Sequence, residues 1–103
     1  MEFMSLIEQR KKFLRAALRR LWLKWPPRNE VKTKARLRRG IYLCAGVGRA
    51  PHEARAKDVQ VDHVKPIGEL KDWNTWITKL FCSANNLQVL CLECHRAKTA
   101  KEN

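Results

Sequence analysis

The chain has 103 residues, and its 22 Lys and Arg against ten Asp and Glu give a formal charge of +12. That length allows one small domain whose limited core often needs a metal or another staple. A balance this basic, with a pI near 10.2, points to nucleic acid or an anionic membrane surface as the partner. No apolar run approaches the roughly 18 residues of a membrane span. The first residues also lack the apolar stretch and small-residue cleavage site of a secretory signal. The four cysteines, at 44, 82, 91 and 94, are therefore expected in a reducing intracellular compartment. There, clustered cysteines bind metal more often than they form disulfides.

In chain order, residues 3–23 read as an amphipathic helix. Phe3, Leu6, Ile7, Phe13, Leu14, Ala17, Leu18, Leu21 and Trp22 recur at spacings of three and four, and basic residues fill the other faces. Pro26-Pro27 stops it. Arg28–Arg39 reads as a second basic helix ending at Gly40. Ile41-Tyr42-Leu43 forms a short strand leading to Cys44, and residues 45–57 a loop. The alternation from Val59 to Val64 suits a half-buried strand ended by Pro66 and Gly68. Trp73, Trp76, Ile77, Leu80 and Phe81 give residues 72–81 a helical spacing. Leu87–Leu90 reads as a further strand, and Cys91–Lys101 as a helix carrying His95. The class is α+β. Residues 1–40 form a basic helical extension and residues 41–103 the main domain.

The densest chemistry lies in Val61-Asp62-His63-Val64-Lys65-Pro66, Asn85-Asn86-Leu87-Gln88 and Cys91-Leu92-Glu93-Cys94-His95. A carboxylate beside a histidine, an asparagine and a second histidine are what a one-metal phosphodiesterase needs. These strings, in this order, resemble the HNH nucleases over about Tyr42 to Glu102. With the Trp-Pro-Pro segment and Arg-rich run ahead of Tyr42, the chain looks like the small HNH proteins of tailed bacteriophages. The resemblance implies a ββα-metal finger preceded by one or two basic helices. It implies that Asp62 and His95 hold a divalent cation (Mg, Mn, Ni or Zn, since oxygen and imidazole ligands accept all four). His63 would be the general base, and its near-neutral pKa suits that task. Asn86 would orient the loop and the His63 imidazole. The expected activity is metal-dependent cleavage of DNA, nicking it or cutting both strands, in a bacterial host cytoplasm. The chain would act as a homodimer or beside larger phage DNA-processing machinery. Neighbouring residues of an ideal strand face opposite ways, so Asp62 and His63 share a site only if the strand bends at its end.

Many HNH proteins hold a structural zinc with two Cys-x-x-Cys pairs. Here Cys91 and Cys94 make one pair, but Val47 stands where a partner for Cys44 belongs. Cys44, Cys91 and Cys94 fall one short of the four ligands that a tetrahedral zinc takes. His52 or Cys82 could supply the fourth. Neither has the expected spacing, so an absent or weakened site is expected. His52 reads as a loop residue without catalytic importance, and Cys82 as a small buried hydrophobe. Arg28, Lys32, Lys34, Arg36, Arg38, Arg39 and Lys98 are the candidates for phosphate contacts. Two other readings stand beside the nuclease. The broken cysteine pair suits a catalytically degenerate nucleic-acid-binding module. The first helix could lie on an anionic membrane. Packing its apolar face onto the domain is more economical, so no membrane partner is expected.

Overall fold

The computed structural model describes residues 5–102. Its elements are α1 (Leu6–Trp22), α2 (Pro26–Ala35), β1 (Arg36–Arg38), β2 (Ile41–Cys44), β3 (His52–Arg55), β4 (Val59–His63), α3 (Trp73–Leu80), β5 (Leu87–Cys91) and α4 (Leu92–Glu102). Short 3-10 turns precede β4 and β5. The class is α+β, as expected. Two antiparallel sheets form, one with the order β1-β2-β3 and one pairing β4 with β5. Phe3, the first residue of the expected apolar face, lies outside the described residues.

Local chemistry sets most boundaries. The Ser5 hydroxyl caps α1 by accepting from the Glu8 amide at 3.2 Å. Pro26 opens α2, where its missing N–H costs nothing. The Asp72 carboxylate caps α3, accepting from the Thr75 amide at 2.9 Å and its hydroxyl at 2.5 Å. The second basic helix is shorter than its composition suggests. It ends at Ala35, and Arg36–Arg38 becomes a strand paired with β2. Gly40, at φ +76°, makes the turn of that hairpin rather than a helix stop. The boundary expected between residues 40 and 41 falls in this turn. The stretch 45–57, read as a loop, contains β3, which pairs residue for residue with β2.

The core has two parts. Val61, Leu87 and Val89 are buried on one face of the β4-β5 ribbon, with Trp22, Val31, Ala35, Tyr42, Val59 and Cys82 packed around them. Cys82 is thus half-buried at the edge of a cluster rather than fully enclosed. The other part consists of Cys44, Leu90, Cys91 and Cys94, with Val47 and Ala54 against it. Trp25 docks the Trp-Pro-Pro segment by donating its indole N–H to the Cys82 carbonyl at 2.7 Å and meeting Phe81 edge-on.

The first helix departs from expectation. No residue of α1 is buried. Leu6, Ile7, Phe13, Leu14 and Leu21 are 47–74 % exposed. Its apolar face does not pack on the domain; only its last residue, Trp22, joins the core. No helix of the described residues is long and apolar enough to cross a membrane.

Candidate metal centre and the Asp62 cleft

The cysteine half of the core is assembled by the hairpin β2-β3. Antiparallel pairing sets Cys44 directly opposite His52, and residues so paired hold their side chains a few ångströms apart. Cys91 ends β5 and Cys94 lies in the first turn of α4. One ligand atom from each of Cys44, His52, Cys91 and Cys94 lies within 4.8 Å of the others. These four residues could hold a metal ion. Of the two residues offered for the fourth place, His52 and not Cys82 stands beside the three cysteines, and it lies in β3 rather than in a loop. The fourth donor comes from a cross-strand neighbour. Val47, where a second cysteine was expected, packs against the cluster as an apolar wall.

The surroundings are those of a thiolate site. The Cys44 sulfur accepts from the Cys91 amide at 3.2 Å and the Gly46 amide at 3.4 Å. Gly46 is required at that turn: its φ is +81°, and a Cβ would collide with the carbonyls of Arg49 and Ala50. His52 Nδ1 lies 3.2 Å from the Ala50 carbonyl. A carbonyl only accepts, so Nδ1 carries the proton and the Nε2 lone pair faces the sulfurs, 3.5 Å from Cys91 Sγ. Arg49 bonds to the same Nε2 and stands 4.0 Å from Cys91 Sγ, a positive charge beside the thiols. Burial disfavours the Cys91 thiolate. The Cys94 amide, the His52 ring and the neighbouring thiols outweigh it and hold that thiol down to about 6. Burial pushes the Cys44 thiol up, beyond what its two amide bonds offset. Three sulfurs and one imidazole are a donor set suited to zinc.

A second group forms where β4 and β5 meet the side of α4. Asp62 and Gln88 are cross-strand partners, and the Gln88 amide donates to the Asp62 carboxylate at 3.3 Å. From α4, His95 Nε2 approaches Asp62 Oδ1 at 3.7 Å. Lys98 Nζ reaches Asp62 Oδ2 at 3.2 Å and also pairs with Glu102. Burial works against the Lys98 charge, but these two carboxylates raise its pKa. Lys98, expected as a phosphate contact, pairs with Asp62 and Glu102 in this structure. Gln88 is the member sequence reasoning missed, and His52 stood there only as one of two alternatives for the fourth ligand. Each is visible only once a strand register is known.

His63 does not join this group. Asp62 and His63 point to opposite faces of β4, and His63 is only 8 % exposed. Its Nε2 is 3.0 Å from the Leu80 carbonyl, so Nε2 bears the proton and Nδ1 is the basic nitrogen. The ring stacks under Trp22 at 4.8 Å and 24°. Arg28 sits over the other side of Trp22 at 4.4 Å. Asn86 does not touch the imidazole. Its side-chain oxygen accepts from the Lys65 amide at 3.0 Å, and its own carbonyl accepts from the Val64 amide at 2.8 Å. It therefore fixes the bend that follows His63, the loop part of its expected role.

The expected phosphate contacts scatter. Arg28 is half-buried and donates to the Leu23 carbonyl at 2.7 Å. Lys32 lies 5.7 Å from the Tyr42 ring. Arg38 grips Glu53 with two bonds of 2.7 and 3.0 Å, and Lys34 pairs with Glu30 at 3.4 Å. Arg36 and Arg39 are exposed. The chain matches no family model, no curated protein and no solved structure.

Proposed function

We propose that the chain is a metal-dependent endonuclease of the HNH type, with β4, β5 and α4 as its ββα-metal finger and DNA as its substrate. The observation that carries this reading is the meeting of Asp62 and His95 across β4 and α4. A carboxylate 14 % exposed and an imidazole 38 % exposed, beside a strand bend in a chain of charge +12, form an oxygen-nitrogen donor pair. Mg, Mn, Ni and Zn all accept such donors, with waters and a phosphate oxygen completing the shell. A cation held there would polarise the scissile phosphate and offset charge on the departing oxygen. Gln88 fixes the Asp62 carboxylate, and Lys98 yields its place to the incoming cation. His63 supplies the base: the Leu80 carbonyl sets its tautomer and leaves Nδ1 to take a proton from water. For that, the imidazole must turn from beneath Trp22 toward the α4 face, about the bend that Asn86 holds. At the thiol site we assign a structural zinc, held by Cys44, His52, Cys91 and Cys94 and joining the β2-β3 hairpin to β5 and α4.

Two contacts favour a second reading, a nucleic-acid-binding module without catalysis. Lys98 already neutralises Asp62, and His63 is buried. One assay separates the two readings. Supercoiled plasmid is incubated with wild type and His63→Ala, with EDTA, Mg, Mn, Ni or Zn in separate reactions. Conversion to open-circle or linear DNA that needs both metal and His63 is expected. A gel shift without conversion under any condition would replace the nuclease by the binding module. Full activity in His63→Ala would remove His63 from the mechanism.

A further inference from the structure

Among the described residues, helix α1 leaves an apolar face without a partner. At about 100° per residue, Phe13, Leu6, Leu21, Leu14, Ile7 and Leu18 fall within one arc of about 140°. The first five are each about half exposed or more. The arc points away from the body. Outside the arc, Glu8, Lys12 and Arg15 flank Leu70 of the 64–72 loop, with Lys11 at the arc's edge beside them, and Trp22 anchors the C-terminal end in the core. Lys11 and Arg20 border the arc on its two sides, and Arg10 lies within it.

Charge selects the occupant. The helix carries six Lys and Arg against the single Glu8. A second copy would bring the same cations to the same seam and set Arg10 against an apolar strip with no carboxylate to meet it. The arc is also wider than the narrow seam of a two-stranded coiled coil. An anionic bilayer surface meets both demands. It takes the broad apolar strip into the headgroup boundary and pairs the flanking cations with lipid phosphates. Arg10 reaches the same level by extending its long side chain. We propose that α1 is a membrane-surface helix that docks this protein on anionic lipid, with the rest of the chain held above the bilayer. This proposal is independent of the nuclease reading, and it replaces the expectation that no membrane is involved.

The test is flotation of the full-length protein with phosphatidylglycerol/phosphatidylcholine vesicles and with phosphatidylcholine vesicles alone. Wild type and the charge-neutral double variant F13Q/L14Q are compared. Both positions are exposed, and circular dichroism checks that the variant stays folded. Wild type is expected to float with the anionic vesicles, and the variant to lose at least tenfold in apparent affinity. Three results would overturn the proposal. Wild type fails to bind anionic vesicles. The variant binds them as well as wild type, which leaves charge alone as the cause. Light scattering shows a wild-type dimer that F13Q/L14Q dissolves while neither protein binds lipid, which makes a second copy the occupant.

Discussion

Replacing His52 with Ala removes one of four donors from the thiol centre while leaving the β2-β3 register intact. The structure sets the scale of the effect. Among the buried residues of this half of the core, Leu90 is the only aliphatic one, and the other three are Cys44, Cys91 and Cys94. Without a bound ion, the joint of β2 and β3 to β5 and α4 rests on Leu90, the thiols and the partly buried Tyr42, Val47 and Ala54. Structural zinc contributes about 10–16 kcal/mol of apparent binding energy in small metal-folded domains, as much as the roughly 5–15 kcal/mol that stabilises a whole domain. Loss of an outer-shell partner alone weakens metal sites about 10–100-fold; loss of a direct ligand costs more, at least about 3 kcal/mol. We expect purified wild type to hold one zinc per chain, measured by elemental analysis, and His52→Ala to lose it on dialysis and melt at a markedly lower temperature. His52→Cys, a four-thiolate set, should retain the metal. The signs of the thiol shifts add a pH signature. The metal-free Cys91 has its pKa depressed from 9.0 to about 6. Its contribution is complete above pH 9 and disappears as pH falls through about 6. Burial shifts the metal-free Cys44 thiol the opposite way, up, so it adds no stability that depends on its charge near neutral pH. Wild-type protein free of stoichiometric metal, with a melting temperature unmoved by EDTA and by His52→Ala, would refute this account.

Asn86→Ala removes an acceptor and a donor that join it to the Lys65 backbone at 3.0 and 3.5 Å. It should cost about 1–2 kcal/mol in urea unfolding, and plasmid conversion should fall with it. Lys98→Ala frees the Asp62 carboxylate of its ammonium. Titration with Mn²⁺ should then show tighter binding than wild type, whereas His95→Ala should weaken it. An unchanged affinity in both variants would separate these residues from metal binding. The indole nitrogen of Trp22 is buried without a partner, so Trp22→Phe keeps the stack on His63 and removes an orphan donor. It should match wild-type stability within about 1 kcal/mol. Trp22→Ala loses the packing and should cost about 2 kcal/mol, as read from chemical denaturation. Equal losses in the two variants would refute the stacking argument.

Strands β2, β4 and β5 and the last two helices were legible from local patterns: Val59, Val61 and His63 face one side, and Trp76 and Leu80 lie one turn apart. What stayed hidden depends on pairing between segments. His52 is eight residues from Cys44 in sequence, and no ligand spacing marks it. The hairpin places it opposite. Gln88 is likewise an ordinary strand residue until the β4-β5 register sets it across from Asp62. The basic run ending at Arg39 was read as helix throughout because Lys and Arg are good helix formers. Pairing with β2 overrides that preference at Arg36. The exposed apolar face of α1 was unreadable for a different reason. An amphipathic pattern states that a helix has a side to cover and says nothing about what covers it.

The alternation of β4 gives the molecule its division of labour. Val61 and His63 lie on the face covered by Trp22 and α2, whereas Gln60 and Asp62 lie on the opposite side, toward α4. Anything that moves Trp22 acts on His63 and not on Asp62. Anything that binds Asp62 and His95 acts on α4, whose first turn carries Cys94 of the thiol centre. The two faces communicate at the strand end, where the Asn86 carbonyl takes the Val64 amide and its side chain grips Lys65. His63 itself pairs with Leu87, so turning its imidazole toward α4 opens the last rung of the β4-β5 ladder. In the proposed nuclease, Trp22 of the N-terminal segment would cover the base from one face of the ribbon, and a metal at the thiol centre would steady α4 through Cys94.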